Sequence, residues 1–469
     1  MSTFSALNAA TTALWAQRRA LDVTGQNIAN VNTEGYSRQR ADLQAIGGSP
    51  IPAFYSTSPG IGAGVDAEGV LRIRDAFLEG RGHTEHGNSA RLAAETDAYT
   101  QVESSFREPG DTGIQSLMGE MWAAWGDVDN GPHELASRGQ VLESLKTLVG
   151  GVQFSYASMG TQWEQTLDNL GVLVSDVNKA AASVAQLNTA IQRATQSGLP
   201  ANDLTDQRDL LVMKLAEQVG ATIRPGEDGM VDVVVGGMAL VSKGTASALA
   251  LAGAMGPDDV GTDPPRLTTA SGGFTVQAGG TAAGQLNALN KILPDSRASL
   301  DDFAVSLAAA INAKHTTGAY DLDGNPGIDI LGSSGGPLTA ATLSVMLTSP
   351  RQIAASKVAP VASSPALDSS NADEISQLRL SLTGPDAKYR AMIVELGVQA
   401  AVTGRNVGIQ QVITTQVDAA RESVAGVNLD EEMTNMLSFQ HAYSAAGRLV
   451  TAIDETLDVL INRTGLVGR

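Results

Sequence analysis

The chain has 469 residues, a formal net charge of −19 and no cysteine. The lack of cysteine excludes a disulfide framework, thiolate zinc sites and iron–sulfur clusters, and the acidic balance argues against binding to nucleic-acid backbones. No apolar run approaches the roughly 20 residues that a membrane-spanning helix needs, so no partner membrane is expected.

Apolar residues repeat every seven positions at the N-terminus. Leu7, Leu14, Leu21 and Ile28 form a heptad stripe, which is the pattern by which one helix packs against another. This helix is expected to end in the turn-forming residues 29–36. An extended segment and a Gly-rich loop-and-strand region should follow it.

A second helical block is predicted from about Asp75. Its clearest member covers residues 161–197, where apolar residues again recur every seven positions, and a glycine and a proline stop it. Asn202 or Asp203 is expected to cap the next helix, which should end at Gly220.

The composition changes between residues 221 and 284, where glycine is frequent. Two short apolar runs flank Gly236 and Gly237, which is a hairpin signal, so a small β-rich domain inserted in a helical scaffold is expected. Helix should return near Gln285, and Pro294 should kink or split it.

The last hundred residues mirror the N-terminal region. One helix is expected over residues 386–424, and another begins at Asn428, which has the spacing of a capping box with Glu431. The apolar stripe of this last helix consists of Leu429, Met433, Met436, Tyr443, Val450, Ile453, Leu457 and Leu460. Periodicity alone leaves open whether the terminal helices pack on their own chain or on neighbouring subunits.

Two short polar segments contain residue types that bind metal ions. Residues 83–86 contain two histidines and a glutamate without the HExxH order, so a solvated Gly-flanked loop is expected instead. Residues 321–325 lack the ligand pattern of a calcium loop, so a Gly/Asn turn is expected. Since no nucleophile–base pair is recognisable either, we predict no enzyme activity, no metal and no cofactor.

Five segments resemble those of one protein family. Asn27–Gln39 (NIANVNTEGYSRQ) resembles the signature of bacterial flagellar rod, hook and hook-associated proteins, and Ser423–Glu432 (SVAGVNLDEE) resembles a motif of the FlgK family of hook–filament junction proteins. Gly62–Leu78, Asn202–Asp209 (NDLTDQRD) and Asn312–Asn325 are similar to further FlgK segments. The resemblance therefore covers both ends of the chain and several interior points.

The resemblance implies a structural subunit that forms a ring between hook and filament through coiled-coil assembly of its terminal helices. It also implies export through the flagellar type III apparatus to the extracellular flagellum. The partners would be further copies of the chain, the hook protein, the second hook–filament junction protein and an export chaperone. The alternatives are a hook or distal-rod protein of the same apparatus, or a secreted adhesin or enzyme on a flagellin-like frame.

We therefore expect a multidomain, mainly α fold with paired coiled-coil-like terminal helices, a helical bundle and an outer β domain. Residues 1–70 with 428–469 would form the terminal domain, residues 71–220 with 285–315 and 386–427 the bundle, residues 221–284 the β domain, and residues 316–385 a loop and strand region. The residues expected at the assembly interface are Leu7, Leu14, Leu21, Asn27, Ile28, Asn30, Thr33, Gly35, Tyr36, Arg38, Gln39, Asn428, Leu429, Glu431, Met433, Met436, Tyr443, Val450, Ile453, Leu457 and Leu460.

Overall fold

The computed structural model describes residues 3–47, 62–360 and 368–463. Its helices are α1 (Thr3–Ala29), α2 (Ala76–Phe106), α3 (Ile114–Asn130), α4 (Leu135–Gln196), α5 (Asn202–Val219), α6 (Gly280–Asn287), α7 (Leu293–Thr316), α8 (Ser370–Ser376), α9 (Pro385–Ala425) and α10 (Leu429–Asp458). The strands are β1 (Gln39–Ile46), β2 (Gly64–Arg72), β3 (Thr222–Pro225), β4 (Val231–Val235), β5 (Met238–Ser242), β6 (Thr245–Ala246), β7 (Leu249–Ala252), β8 (Arg266–Thr269), β9 (Thr275–Val276), β10 (Leu331–Ser333) and β11 (Leu343–Val345). Long terminal helices, a helical body and small sheets confirm the predicted mainly α fold class. Across these described ranges, no helix combines the length and apolarity needed to cross a bilayer.

The terminal helices α1 and α10 pack against each other, as predicted, and α1 also packs on the antiparallel β1–β2 hairpin. The side chains most deeply buried in this unit include Ala16, Ala20 and Val23. The predicted heptad residues of α1 are only half-buried. Small alanines face inward because the helix must approach both α10 and the hairpin closely, so the heptad stripe remains partly available at the surface.

Helix α4 is much longer than predicted. It spans 62 residues, about 93 Å at 1.5 Å per residue, and begins at Leu135, whereas residue 161 was the expected start. Glycines at positions 150, 151 and 160 lower helix propensity there. Buried residues such as Val141, Leu145 and Val152 pack against the rest of the body and override that propensity.

Three of the four tryptophans are buried in the core, despite the low aromatic content. Trp122 donates its indole N–H to Asp386 at 2.8 Å, and Trp163 donates to the carbonyl of Leu289 at 2.9 Å. These two bonds tie α3 to α9 and α4 to the α6–α7 region, whereas the buried indole N–H of Trp125 has no hydrogen-bond partner among the described residues.

The β-rich segment is built from two antiparallel sheets with the orders β3-β4-β5-β6 and β7-β8-β9. The predicted hairpin is confirmed: Gly236 and Gly237 have φ values of 54° and 84°, as a type I′ turn requires. Asn188 of α4 donates to the carbonyls of Val231 and Lys243, both at 2.7 Å, so α4 holds one end of the first sheet.

Pro294 lies in the first turn of α7, and a π-helical turn over residues 288–292 joins α6 to α7. The widened turn accommodates the proline, whose ring cannot fit an uninterrupted helix interior, so the predicted distortion is confirmed. Downstream, residues 316–385 are mostly loops with β10, β11 and α8, apart from residues 361–367, which lie outside the described ranges.

Candidate functional site: the joint of the terminal helices

The N-terminal signature folds into a compact joint between α1, α10, the β1–β2 hairpin and α5. We use "joint" for residues 27–39, 70–74, 202–209 and 425–432. In this joint Gly35 has a φ of 78°, a value that favours glycine, and Asn30 and Thr33 hydrogen-bond each other at the end of α1. The turn predicted after α1 therefore returns the chain to the side of its own helix.

Asn27 is the centre of the joint and is only 1% exposed. Its side-chain NH₂ donates to the carbonyl of Gln39 at 2.8 Å and to the carboxylate of Glu432 at 3.0 Å. Its side-chain oxygen accepts from the hydroxyl of Tyr36 and from the backbone N–H of Gln39, both at 2.9 Å. All four hydrogen-bonding positions of this amide are therefore used within the chain.

Arg38 links the N-terminal signature to the start of α10. It donates through Nε to Glu432 at 2.8 Å and through Nη1 to Glu431 at 2.8 Å. The Glu432 carboxylate is almost fully buried, and Arg38 and Asn27 are its partners. Its burial is tolerated because it is paired and hydrogen-bonded.

The predicted N-cap of α10 is confirmed, whereas the second half of the capping box is not formed. Asn428 accepts from the backbone N–H groups of Asp430 and Glu431. Glu431 does not return a bond to Asn428, because its carboxylate binds Arg38. Sequence spacing identified the cap but could not reveal an arginine almost four hundred positions away.

Asp206 and Asp209 of α5 join the body to the joint. Asp206 accepts from the hydroxyl of Ser37 at 2.7 Å and lies 2.7 Å from Arg72, while Asp209 binds Arg72 and Arg74 at 2.7 and 2.8 Å. Burial would raise the pKa of Asp209, but its arginine partners outweigh burial and hold that pKa below its usual range.

Asn202 is not the predicted cap of α5, and neither is Asp203. The N-cap position is Ala201, and Asn202 instead donates its side-chain amide to the carbonyl of Val70 at 2.9 Å and to Gln39 at 3.2 Å. The N-D-L-x-D-Q-R-D segment thus attaches α5 to the hairpin. Its Asp206 and Asp209 pair with Arg72 of β2 and with Arg74. The sequence alone did not indicate that these arginines lie close to α5.

Tyr36 has an environment that favours its neutral form. Burial, together with the carboxylates of Asp206, Asp203 and Glu432, raises the pKa of Tyr36 to about 12. A protonated hydroxyl is what the bond to Asn27 requires, since the oxygen of that amide can only accept.

The predicted interface residues fall into two groups. The signature residues Asn27, Tyr36, Arg38, Gln39 and Glu431 bond within the joint. The stripe of α10 is divided: Ile453 is buried, Met436, Val450 and Leu457 are half-buried against α1, and Leu429, Met433, Tyr443 and Leu460 are exposed. Phe439, which the stripe omitted, packs on Ala20 and Val23. Trp15, also omitted, is strongly exposed on α1.

The two candidate metal segments have other roles. Residues 83–86 lie inside α2 and not in the predicted solvated loop, and His86 bridges Glu217 of α5 and Asp418 of α9. Asp321 accepts from the backbone N–H groups of Asp323 and Asn325, so the segment is a turn closed by its own carboxylate. Among the described residues, no group of three or more His, Asp and Glu side chains could hold a metal ion.

Comparison with known proteins places this joint in a family context. The model of the flagellar hook-associated protein FlgK helical domain matches residues 99–331. The models of the flagella basal body rod protein and of the flagellar basal body rod FlgEFG protein C-terminal region match residues 7–36 and 421–463. The chain is 30% identical to flagellar hook-associated protein 1 of Bacillus subtilis, over 100% of both chains.

The chain belongs to the flagellar hook-associated protein 1 (FlgK) family. It is also 24% identical to flagellar hook-associated protein 1 of Escherichia coli, over 98% of this chain and 99% of that protein. The FlgK hook junction protein of Burkholderia pseudomallei has a similar fold, with a TM-score of 0.62 and 15% identity over 74% of this chain and 100% of that one.

FlgK family proteins are structural components of the flagellum at the junction of hook and filament. This membership confirms the family predicted from the motifs and disfavours the alternative of a hook or distal-rod protein, since the FlgK helical domain lies between the two rod-type ends. It also makes the chain a structural flagellar protein, a class that associates with other flagellar components.

Proposed function

We propose that the chain forms a ring between hook and filament in which the α1–α10 pairs of neighbouring subunits complete each other's burial. The observation that carries this proposal is the solvent exposure of α10. Of its 30 described residues, only Glu432 and Ile453 are buried. Met433 and Leu437 are both 54% exposed, and Trp15 on α1 is 72% exposed. Helices in folded proteins gain most of their stability from packing against other elements. We therefore expect further copies of the chain to cover the exposed apolar residues of the α1–α10 pair.

The joint gives this assembly its rigidity. Arg38, Asn27 and Glu432 connect the start of α10 to the end of α1, and Asp206 and Asp209 of α5 bind Ser37, which follows the signature turn, and Arg74, which follows β2. A load applied to the terminal helices would therefore pass into the helical body through charge-assisted bonds, which are stronger than neutral ones. We infer that the signature residues fix the angle between the terminal helices and the helical body within each subunit. The exposed apolar residues then make the contacts between subunits.

The division into domains follows from the same proposal. Residues 1–70 with 428–469 would be the assembling unit, and the bundle of residues 71–220, 285–315 and 386–427 would surround it. The β segment 221–284 would face outward while packed on α4, since Val233 and Leu267 belong to the same apolar cluster as Val177. The described parts of residues 316–385 would belong to the body, since β11 contacts α4, β10 contacts α7 and α8 contacts α3.

The remaining partners are proposals drawn from the family resemblance. Export would proceed through the flagellar type III apparatus, with a chaperone covering the exposed faces of α10 until assembly. The hook protein and the second hook–filament junction protein would bind the two sides of the ring. The exposed apolar residues of α10 support such a protective partner, because a bare apolar face invites aggregation.

The test is a pair of double variants in the host bacterium. Met433→Glu/Leu437→Glu places two charges on the patch formed by the exposed Met433 and Leu437 of α10. It should abolish filament attachment, while the circular dichroism spectrum of the purified protein stays unchanged. Ser438→Glu/Ala445→Glu adds the same charge at exposed positions of α10 outside the patch and should leave motility near normal. Normal filaments in the first variant would refute the proposed assembly.

A further inference from the structure

In the central part of helix α9, polar residues face the helical body and apolar residues face outward. Between Thr403 and Thr414, the residues buried against the body are polar: Thr403, Gln410 and Thr414. Gln410 donates to the carbonyl and to the carboxylate of Glu85 on α2. The interface between α2 and α9 is therefore polar in this region, which is unusual for two helices of one folded body.

The outward face of the same helix is apolar. We use "outer stripe" for Val394, Val398, Val402, Ile409 and Val412. At 100° per residue these side chains fall within an arc of about 80° and extend over about 27 Å. Val398, Ile409 and Val412 are 53%, 61% and 68% exposed, so the stripe is bare in the single chain.

The composition of the outer stripe points to packing. Valine and isoleucine are poorer helix formers than alanine, leucine or the charged residues that normally cover an exposed face. Their β-branched side chains are already restricted at χ1, so little rotamer entropy is lost when a partner covers them. An apolar strip of this kind, with Arg405 as its one charged side chain, is typical of a protein contact site.

Charge favours a second copy of the chain as the occupant. The whole chain carries a net charge of −19, so two copies repel each other over most of their surfaces. The residues from 396 to 417 contain one charged side chain, that of Arg405, which lies on the same face as the stripe. The outer stripe is thus a place where acidic copies can approach without like-charge repulsion.

The position of α9 in the chain also favours a second copy. Gly426, Val427 and Asn428 separate it from α10, whose exposed apolar residues carry the proposed assembly. The backbone N–H of Arg38 donates to the carbonyl of Ala425, so the end of α9 is fixed in the joint. A neighbour that packs along α10 is therefore bound next to the end of α9, about 20 Å along that helix from Val412.

We propose that the outer stripe of α9 is a second contact surface between subunits, which docks another copy of this chain on the helical body. This inference rests on the proposed assembly and adds a surface that the terminal motifs do not contain. Its role is to extend the subunit contact from the α1–α10 pair into the helical body, so that neighbouring bodies cannot swing independently.

A cross-linking experiment identifies the occupant directly. The native chain has no cysteine, so Val398→Cys gives a single attachment point for a benzophenone maleimide on the full-length protein. Illumination of the concentrated protein should yield a product containing two copies of this chain, identified by mass spectrometry. Gln411→Cys is the matched control, since it is exposed on the same helix away from the stripe, and its dimer yield should be at least fivefold lower.

Charge variants test the same surface in the cell. Val398→Glu/Val412→Glu should reduce filament-bearing cells at least tenfold, whereas Gln399→Glu/Gln411→Glu adds equal charge on other faces of α9 and should not. Circular dichroism and thermal unfolding of both purified variants should match the parent chain, because all four side chains are exposed.

The outcomes separate this inference from the proposed function. Equal cross-linking from positions 398 and 411, or cross-linking from 398 only to an export chaperone or another flagellar protein when these are added, would overturn the outer stripe as a self-contact. Normal filaments in Val398→Glu/Val412→Glu together with their loss in Met433→Glu/Leu437→Glu would also overturn it, while leaving the terminal assembly intact.

Discussion

Asn27 and Glu432 are separated by 405 positions in sequence and joined by a 3.0 Å hydrogen bond that is buried in the structure. The amide lies near the end of the first helix and the carboxylate in the first turn of the last one. This contact unites the two family signatures, one from each end of the chain. It gives these two buried polar side chains a hydrogen-bond partner across the joint.

Replacing Asn27 by aspartate tests this contact with almost no change in shape. The variant places two carboxylates in contact, and it removes the donor to Gln39 and Glu432, so the joint should lose about 2–4 kcal/mol at neutral pH. Hydrogen exchange of the amides in the first turns of α10 measures the loss. Asn32→Asp, at an exposed position in the same loop, should exchange like the parent chain.

Arg38→Ala should be more damaging, because it leaves the buried Glu432 carboxylate without its cation. Removing one partner of a buried ion pair costs about 3–5 kcal/mol. We expect the end of α1 and the start of α10 to become susceptible to limited proteolysis while the helical body remains resistant. The double variant Arg38→Met/Glu432→Gln removes both charges and keeps an acceptor for Asn27, so it should recover most of the protection. Equal cleavage of the two variants would contradict this account.

The environment of His315 predicts that the folded helical body loses stability in acid. Its imidazole is fully buried, bonds the carbonyl of Ile328 through Nδ1 and accepts from the backbone N–H of Ala354 through Nε2. Burial lowers the pKa of His315 to about 4. Because the unfolded chain binds this proton near pH 6.5, stability is complete above that pH and falls as the pH drops toward 4.

The size of this effect is measurable by urea unfolding. Between pH 7 and pH 4.5 the contribution of His315 to the free energy of unfolding should fall by about 2–3 kcal/mol. His315→Gln keeps one donor and one acceptor, so the variant should show a smaller loss over the same range. An identical pH dependence in both proteins would show that other groups dominate.

His86 should behave in the opposite way. Its bond to Glu217 raises its pKa above 6.5, burial opposes this, and the bond to Asp418 adds to the increase. The bridge between α2, α5 and α9 is therefore complete below pH 6.5 and weakens as the pH rises through the folded pKa. Nuclear magnetic resonance titration of the histidine ring should show this directly. Loss of the raised pKa in Glu217→Gln would identify the partner, and an unchanged value would argue against the bridge.

Local physics explains the elements that the sequence could predict. The helix ends at Gly220 and at Ala425, the hairpin at Gly236 and Gly237, and the cap at Asn428 depend on neighbouring residues alone, so their signals are readable in a short window. The motifs also sufficed to predict the family. Where prediction failed locally, as at the start of α4, tertiary packing outweighed propensity.

The sequence by itself determined where most of the long helices stop and which family signatures the chain carries, since turn chemistry and motifs are short-range properties. Only the tertiary structure decided that Arg38 takes Glu431 away from its capping box, that Asn202 bonds the hairpin in place of capping α5, and that the outer stripe of α9 is left bare. Each of these depends on which surfaces meet after folding. Partners hundreds of residues apart leave no periodic trace in one sequence.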